Sequence, residues 1–231
     1  MKVVSEVFAL SDDPHAYLRE VLDHGEVTFV DCMGDDRSIV NAARVSYNSK
    51  GTPEEDAKLI KYLLKNRHTS PFEHVVFTFK VKAPLFVLRQ WQRHRTWSFN
   101  EVSARYTELP NDFYTPEEGH VGSQHSSNKQ MRALGEARDT ELYYRTCRAA
   151  FDVYDTLLKE GWPRELARGV LPVSTYSEMY ATVDLHNLLH FLELRLHDHA
   201  QYEIRVYAEQ ILELLKMFVP VTLKAWNELR V

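Results

Sequence analysis

Residues 93–106 read Arg-His-Arg-Thr-Trp-Ser-Phe-Asn-Glu-Val-Ser-Ala-Arg-Tyr, and this stretch decides how the rest of the chain is interpreted. Arg93, His94 and Arg95 are adjacent, and seven further residues separate them from Ser103. Arg105 follows two positions later. A guanidinium presents a planar fork of donors that matches a phosphate or an electron-rich ring edge. The pattern therefore fits an anion-binding site, or else a solvated charged face paired with carboxylates.

Composition excludes several classes of protein. The chain has 231 residues, 44% of them hydrophobic and 26% charged, which is typical of one globular domain over 1–231 with a full core. No run of about 18 apolar residues is present, so no membrane span is expected. The net charge of −5 argues against nucleic acid as the main partner, although a small phosphorylated ligand needs only a local basic pocket.

The two cysteines and the N-terminus predict a cytoplasmic protein. Cys32 and Cys147 lie far apart in the sequence, which indicates free thiols in a reducing compartment. The first six residues lack the apolar core of a signal peptide.

Hydrophobic periodicity predicts a mixed α+β (α/β) domain, with long helices packed around a small, mainly antiparallel sheet. Residues 75–81 alternate and are rich in Val and Phe, which indicates a strand. A helix is predicted over 85–95, with Gln90, Arg93 and His94 on one face. No Gly-x-Gly-x-x-Gly motif is present, so a dinucleotide would not be held in the Rossmann manner.

Three further segments are predicted around the basic motif. Residues 98–109 are expected to be extended. Residues of about 110–130 contain Gly, Pro, Ser and His and are expected to form a long surface loop. A long helix is predicted over 131–159, ended by Gly161.

The motif Arg93-His94-Arg95, seven residues and Ser103 resembles the signature of flavin-dependent thymidylate synthases. The continuation from 100 to 106, Asn-Glu-Val-Ser-Ala-Arg-Tyr, is also similar to that family. Further similar stretches occur in the family's order, at 42–46, 68–74, 163–168, 194–195 and 199–201. Several separated motifs in the right order are much more specific than one.

The resemblance implies a methyltransferase of dTTP biosynthesis that converts dUMP to dTMP. Methylenetetrahydrofolate would supply the carbon, and FAD reduced by NADPH would supply the hydride. The resemblance also implies a homotetramer with sites at subunit interfaces. Expected partners are the small molecules dUMP, folate and NADPH, with no nucleic acid and no membrane.

The resemblance further assigns residues to ligands. The residues expected to bind dUMP are Gln90, Arg93, Glu101, Ser103, Ala104, Arg105, Arg168 and Arg195. Arg195 is the expected catalytic residue, which would polarise the uracil. The residues expected to bind FAD are Ser46, His68, Ser70, Glu73, Arg93, His94, Arg95, Glu101, Asp184, His186 and His190. No metal is expected.

Different roles for these residues remain open on the sequence alone. A nucleophilic Ser103 would need a nearby base and an oriented acid, and no Gly-x-Ser-x-Gly elbow surrounds it, so a ligand-donor role is favoured. The spacing of His186 and His190, with His199 nearby in the sequence, also suits a metallohydrolase with a zinc site, although no His-Glu-x-x-His motif is present. A nucleotide- or RNA-binding module could stack bases on the aromatic residues Trp91, Trp97 and Phe99.

Overall fold

The computed structural model describes residues 16–46, 50–129, 131–133 and 135–230. Its strands are β1 (Leu18–Val21), β2 (Gly25–Met33), β3 (Val76–Pro84), β4 (Ser98–Glu101), β5 (Ser123–Gln124), β6 (Arg132–Ala133) and β7 (Tyr176–Asp184). Five of them form one sheet in the order β1-β2-β3-β7-β4, and every neighbouring pair is antiparallel. β5 and β6 pair separately as a short antiparallel ribbon.

The helices account for most of the remaining described chain. They are α1 (Asp36–Ala43), α2 (Pro53–Lys65), α3 (Leu85–Trp91), α4 (Glu118–Val121), α5 (Glu141–Lys159), α6 (Arg164–Ala167), α7 (Leu185–Arg195), α8 (Tyr202–Leu215) and α9 (Pro220–Leu229). Two 3-10 helices cover Ser70–His74 and Arg168–Val170. Within the described ranges, none of the helices combines the length and the apolar character that a membrane crossing needs.

The alternation of β3 creates the main core. Phe77, Phe79 and Val81 are fully buried on one face of the strand. On the other face Lys80 is exposed and forms an ion pair with Glu178 of β7 at 2.6 Å. The core on the buried face includes residues of α1, α2, α3, α7, α8 and α9, as expected when successive strand side chains point to opposite faces. α5 and α6 pack together in a second, smaller cluster.

Local capping signals fix where the helices near the site begin. Asp35 caps α1, and Thr52 caps α2 with Pro53 at its first position. Asp184 caps α7, because its carboxylate accepts from the Asn187 backbone N–H at 3.0 Å. Both α1 and α7 pack against the 3-10 helix Ser70–His74, which brings three separate sequence motifs to one region.

The predicted α+β class is confirmed, and three predicted boundaries are wrong. α3 ends at Trp91, not at residue 95, and the chain turns after β4 ends at Glu101. α5 begins at Glu141, because residues 132–133 pair in the β5–β6 ribbon and Gly135 adopts a φ of +136°. The segment expected as a loop, 110–130, contains α4 and β5.

Candidate active site

The basic motif lies in a turn after α3, so its side chains do not share one helical face. The backbone N–H of Arg93 donates to Gln90 O at 3.3 Å, and that of His94 donates to Trp91 O at 2.9 Å. His94 is thereby turned inward and is 9% exposed, whereas Arg93 and Arg95 are exposed. The predicted common face of Gln90, Arg93 and His94 is wrong, because this turn replaces the last helical residues.

The inward position of His94 brings it to the end of α7. Arg195 donates from Nε to His94 Nε2 at 3.0 Å. Burial, together with the nearby positive charges of Arg195 and His190, lowers the pKa of His94 to about 4. Burial also lowers the pKa of Arg195 from its usual value. At neutral pH His94 is therefore uncharged, and it accepts at Nε2 with its proton on Nδ1.

Aromatic rings pack against the imidazole of His94. The Phe191 ring lies edge-on to His94 with centroids 5.0 Å apart, and it stacks on Trp91 at 4.9 Å. Trp97 completes the cluster at 5.2 Å from Phe191. Trp91 and Trp97 stand on either side of the turn, and both pack against Phe191. These rings hold His94 in one orientation against Arg195.

Three of the four histidines expected at the flavin line one cavity. His68, His186 and His190 border a space of about 630 Å³ between the end of α2, α7 and α9. The ring of His190 is also 6.4 Å from that of His94. The structure therefore places His190 of α7 beside the Arg-His-Arg motif.

The other residues expected at FAD occupy different local settings. Ser70 and Glu73 are exposed on the 3-10 helix, and Glu73 accepts from Thr69 Oγ1 at 3.1 Å. Ser46 is exposed just beyond α1. The Asp184 carboxylate bonds both the backbone and the side-chain nitrogen of Asn187, the latter at 2.6 Å. That carboxylate therefore serves as a helix cap in this chain.

Glu101 ends β4 and is held by two donors. Ser177 Oγ donates to its Oε1 at 2.9 Å, and Gln92 Nε2 donates to its Oε2 at 3.1 Å. The chain then turns, and Ser103 Oγ accepts from the Arg105 backbone N–H at 3.3 Å. Hydroxyl, backbone N–H and guanidinium thus lie in one short turn, which is the donor set that a phosphate needs.

Two ion pairs place this turn beside α6. Arg105 Nε lies 3.5 Å from Glu165, and Arg164 lies 3.3 Å from Glu108. Arg168, at the end of α6, is exposed. Ala104 is 7% exposed and contributes packing or backbone contacts. Among the described residues, no hydrogen bond or ion pair links this group to Arg195 or to the histidine-lined cavity.

A buried network that sequence reasoning missed reaches Gln90. Gln90 Nε2 donates to Gln201 at 2.7 Å, and Gln201 Nε2 donates to Glu203 at 2.8 Å. Glu203 is 3% exposed and accepts two bonds from Arg132 at 2.8 and 2.9 Å, and one from Tyr114 at 3.2 Å. Burial and the Glu203 charge raise the pKa of Tyr114. The one sequence signal for this network is the proximity of Glu203 to the 199–201 motif.

Gln90 also carries a buried atom that lacks a partner. Its Oε1 has no hydrogen-bond partner among the described residues, while its Nε2 is fixed by Gln201. A buried acceptor without a donor is costly, so such an atom indicates a bound group with an N–H or O–H. Gln90 thus fits a ligand-binding role.

Neither cysteine is placed as an activated nucleophile. Burial, together with the nearby charges of Asp31 and Asp35, raises the pKa of the Cys32 thiol to about 11. Cys147 is buried on α5, with Sγ 3.4 Å from Ser174 Oγ. In the part of the chain that the structure describes, no three His, Cys, Asp or Glu side chains are arranged to hold a metal ion.

Comparisons with known proteins define the class of this chain. Residues 28–221 match the family described as thymidylate synthase complementing protein. A flavin-dependent thymidylate synthase of Gluconobacter oxydans is 50% identical over 221 residues, which cover 91% of this chain and 73% of that protein. One from Thermus thermophilus is 51% identical over 209 residues, covering 90% and 77%.

A solved structure agrees. A UMP/dUMP methylase from Streptomyces cacaoi, bound with 5-Br dUMP, superposes with a TM-score of 0.84 at 40% identity. The match covers 92% of this chain and 99% of the methylase. The chain belongs to the flavin-dependent thymidylate synthases.

Proposed function

We propose that this chain methylates dUMP to dTMP at a site built around Arg195 and the Arg-His-Arg turn. Its family makes it an FAD-dependent thymidylate synthase and a methyltransferase. The observation that carries the placement of the site is the hydrogen bond from Arg195 to uncharged His94. It joins the motif that defines the family to the arginine expected to polarise the uracil.

The proposed dUMP site uses donors of three kinds. The Ser103 hydroxyl, the nearby backbone N–H groups and Arg105 would bind the phosphate, with Arg168 just after α6. Arg93 and Gln90 would contact the nucleoside, which would give the free Oε1 of Gln90 a donor. Glu101, fixed by Ser177 and Gln92, would orient a ring or sugar group by accepting from it.

The donor set also fits FAD. Arg93 and Arg95 are exposed and form no ion pair with any described residue, so their charges are available to an anionic ligand. His68, His186 and His190 border a cavity large enough for part of a dinucleotide. Ser70 and Glu73 lie on the 3-10 helix that borders this cavity, and Asp184 caps α7. Ser46 follows α1, which packs against that 3-10 helix. When bound, reduced FAD supplies the hydride, and positive side chains beside its ring stabilise the reduced form.

Arg195 would stabilise the negative charge that develops on the uracil. His94 holds the guanidinium by a neutral acceptor, so the positive charge of Arg195 is not cancelled by a carboxylate. A fixed charge of this kind needs no rearrangement during the reaction, which is the basis of electrostatic catalysis. Methylenetetrahydrofolate would bind on the side of His68, and NADPH would reduce the flavin.

A direct assay tests this function. The purified protein should be yellow, release FAD on denaturation and form dTMP from dUMP, methylenetetrahydrofolate and NADPH. UMP should be assayed beside dUMP, because the similar methylase of Streptomyces cacaoi is described as acting on both. A protein that binds no FAD and forms no dTMP would contradict the proposal.

The quaternary structure is also a proposal. No hydrogen bond or ion pair between described residues of one chain joins the turn at Ser103 to the cavity at His68, which supports a homotetramer whose sites combine two subunits. Light scattering during size-exclusion chromatography should give four times the 27.0 kDa mass of the chain.

A further inference from the structure

The cavity of about 630 Å³ extends beyond His68, His186 and His190. Its lining also includes Arg67, just after α2, and Trp226 and Arg230, at the end of α9. The lining thus has two parts. One contains the histidine and tryptophan rings, and the other carries the positive charges of Arg67 and Arg230. No role of Arg67 or Arg230 follows from the motifs that define the family.

The charge of this cavity is strongly unbalanced. Lys65, Arg67 and Arg230 line it, and none of them forms an ion pair with a described residue. The guanidinium of Arg230 lies 4.3 Å from the centre of the Trp226 ring, which orients it without neutralising it. Glu193 is the only carboxylate among the described lining residues. The lining is therefore suited to an anion.

Arg67 occupies a backbone conformation that favours glycine. Its φ is +55°, directly after the helix cap Asn66, and the next residue, His68, donates its N–H back to Leu63 O at 2.9 Å. Glycine adopts this conformation without the steric cost of a β-carbon. Replacement of Arg67 by Gly therefore removes the charge while it relieves the backbone, which separates a binding role from a folding role.

We propose that Arg67 and Arg230 bind the glutamyl carboxylates of the folate substrate, whose ring end would lie near His68. This inference rests on the proposed function. A guanidinium binds a carboxylate through two parallel hydrogen bonds, and two such groups on different helices match a chain that carries several carboxylates. Lys65 adds attraction at longer range. The site prefers folates with longer glutamate tails, because each added residue brings another negative charge.

Two other roles of these cations are helix stabilisation and the binding of a diphosphate. Both are distinguishable from binding of the folate tail. Lys65 and Arg230 stand at the C-terminal ends of helices, where positive charge also stabilises the helix. That effect would change thermal stability and not ligand affinity. The phosphates of FAD or NADPH are the competing anionic ligands, but both arginines are exposed and come from separate helices, which suits an extended tail better than a compact diphosphate.

The test measures binding to the FAD-loaded protein. Tetrahydrofolate with one glutamate and with five glutamates is titrated, and the dissociation constant is taken from the change in flavin fluorescence. Wild type should bind the pentaglutamate at least about tenfold more tightly, and added salt should reduce the difference. Arg67→Gly and Arg230→Gln should each remove most of that preference. Lys58→Gln is the matched control, since Lys58 is exposed on α2 outside the cavity.

Stability and cofactor affinity complete the test. Arg67→Gly should melt at the same temperature as wild type or higher, so weaker folate binding by this variant cannot result from unfolding. Equal affinity of wild type for both folates overturns the proposal. So does a loss of affinity for FAD or NADPH with the folate preference unchanged. Failure of the proposed function is recognised separately, because wild type would then form no dTMP with the monoglutamate.

Discussion

Arg195 donates a hydrogen bond to His94 across 3.0 Å, although the two residues are 101 positions apart in the chain. The acceptor must be uncharged, and burial keeps it so by lowering the pKa of His94 to about 4. A carboxylate in the same place would hold the guanidinium equally well but would cancel its charge. A neutral imidazole therefore orients Arg195 and leaves its full positive charge for a ligand.

The lowered pKa of His94 predicts that acid destabilises the fold. The unfolded histidine binds a proton near its usual pKa of 6.5, whereas the folded one stays neutral until about pH 4. Stability is therefore lost as the pH falls through that window, by about 3 kcal/mol at most. Urea unfolding at pH 7.5, 5.5 and 4.5 measures this loss. His94→Gln should show a shallower pH dependence, and identical slopes would show that His94 titrates normally.

Arg195→Ala should separate the two half-reactions. The variant should keep FAD and still be reduced by NADPH, because the charge of Arg195 is needed on the uracil. Formation of dTMP should fall by roughly 100-fold or more, as expected when a preorganised electrostatic contact is removed. Arg195→Lys should restore little, since an ammonium cannot reproduce the donation from Nε to His94. Stopped-flow absorbance follows both steps, and near-normal dTMP formation by Arg195→Ala would contradict this role.

Replacement of either cysteine should leave the enzyme active. Cys32 is protonated at neutral pH, because burial and two aspartates raise its pKa to about 11. Cys147 is buried beside Ser174, so Cys147→Ala should cost about 1 kcal/mol of stability through a small cavity. The measurements are dTMP turnover and urea unfolding of each single variant. Loss of turnover in a folded, FAD-bound variant would support a cysteine mechanism instead.

Ser103→Ala should weaken dUMP binding without abolishing turnover. The hydroxyl donates to the proposed phosphate and also accepts from the Arg105 backbone, so its loss costs about 1–3 kcal/mol. KM for dUMP should rise, while kcat at saturating dUMP remains measurable. Ser103→Cys provides the complementary test by intact mass spectrometry. A covalent uracil adduct on that cysteine would reassign residue 103 as a nucleophile.

Glu203→Gln should act on dUMP binding through Gln90. The substitution weakens the bonds to Arg132 and lets Gln201 rotate, so Gln90 loses its fixed orientation. A rise in KM for dUMP is expected, with a loss of stability of roughly 2–4 kcal/mol because a charge pair with one buried partner is broken. Arg132→Gln, which leaves Gln201 in place, is the control. It should lower stability with a smaller effect on KM.

Elements with strong local signals could be predicted from the sequence. The alternation of residues 76–81 and the capping box of α2 each depend on neighbours only a few positions away. The end of α3 depends on distant contacts instead. Gln92 and Arg93 are good helix formers, yet packing of His94 on Phe191 requires a turn there. The predicted start of α5 is wrong although the sequence contains a signal against it. Gly135 lies within the predicted helix, and glycine is unfavourable in a helix interior.

The candidate site also combines features that local sequence predicts with features that depend on distant contacts. Its residue types could be recognised from the motif, but the partners that orient them are far away in the chain. Glu203 and Arg132 are 71 positions apart, and Ser177 is 76 positions from Glu101. No local pattern encodes such pairs. The capping of α7 by Asp184 differs from these pairs, because its partner Asn187 is only three positions away.

The length of β7 separates two groups of candidate site residues within one chain. Glu101 pairs with Met179 of β7, and α7, with its histidines, starts after Asp184 at the end of that strand, about 17 Å further along. In the proposed tetramer, whose sites combine two subunits, we expect Glu101 and the α7 histidines of one chain to serve different sites. An inactive Glu101 variant and an inactive His186 variant, unfolded and refolded together, then form mixed oligomers in which some sites receive both intact residues. We expect activity to return in the mixture, although neither variant should have any alone.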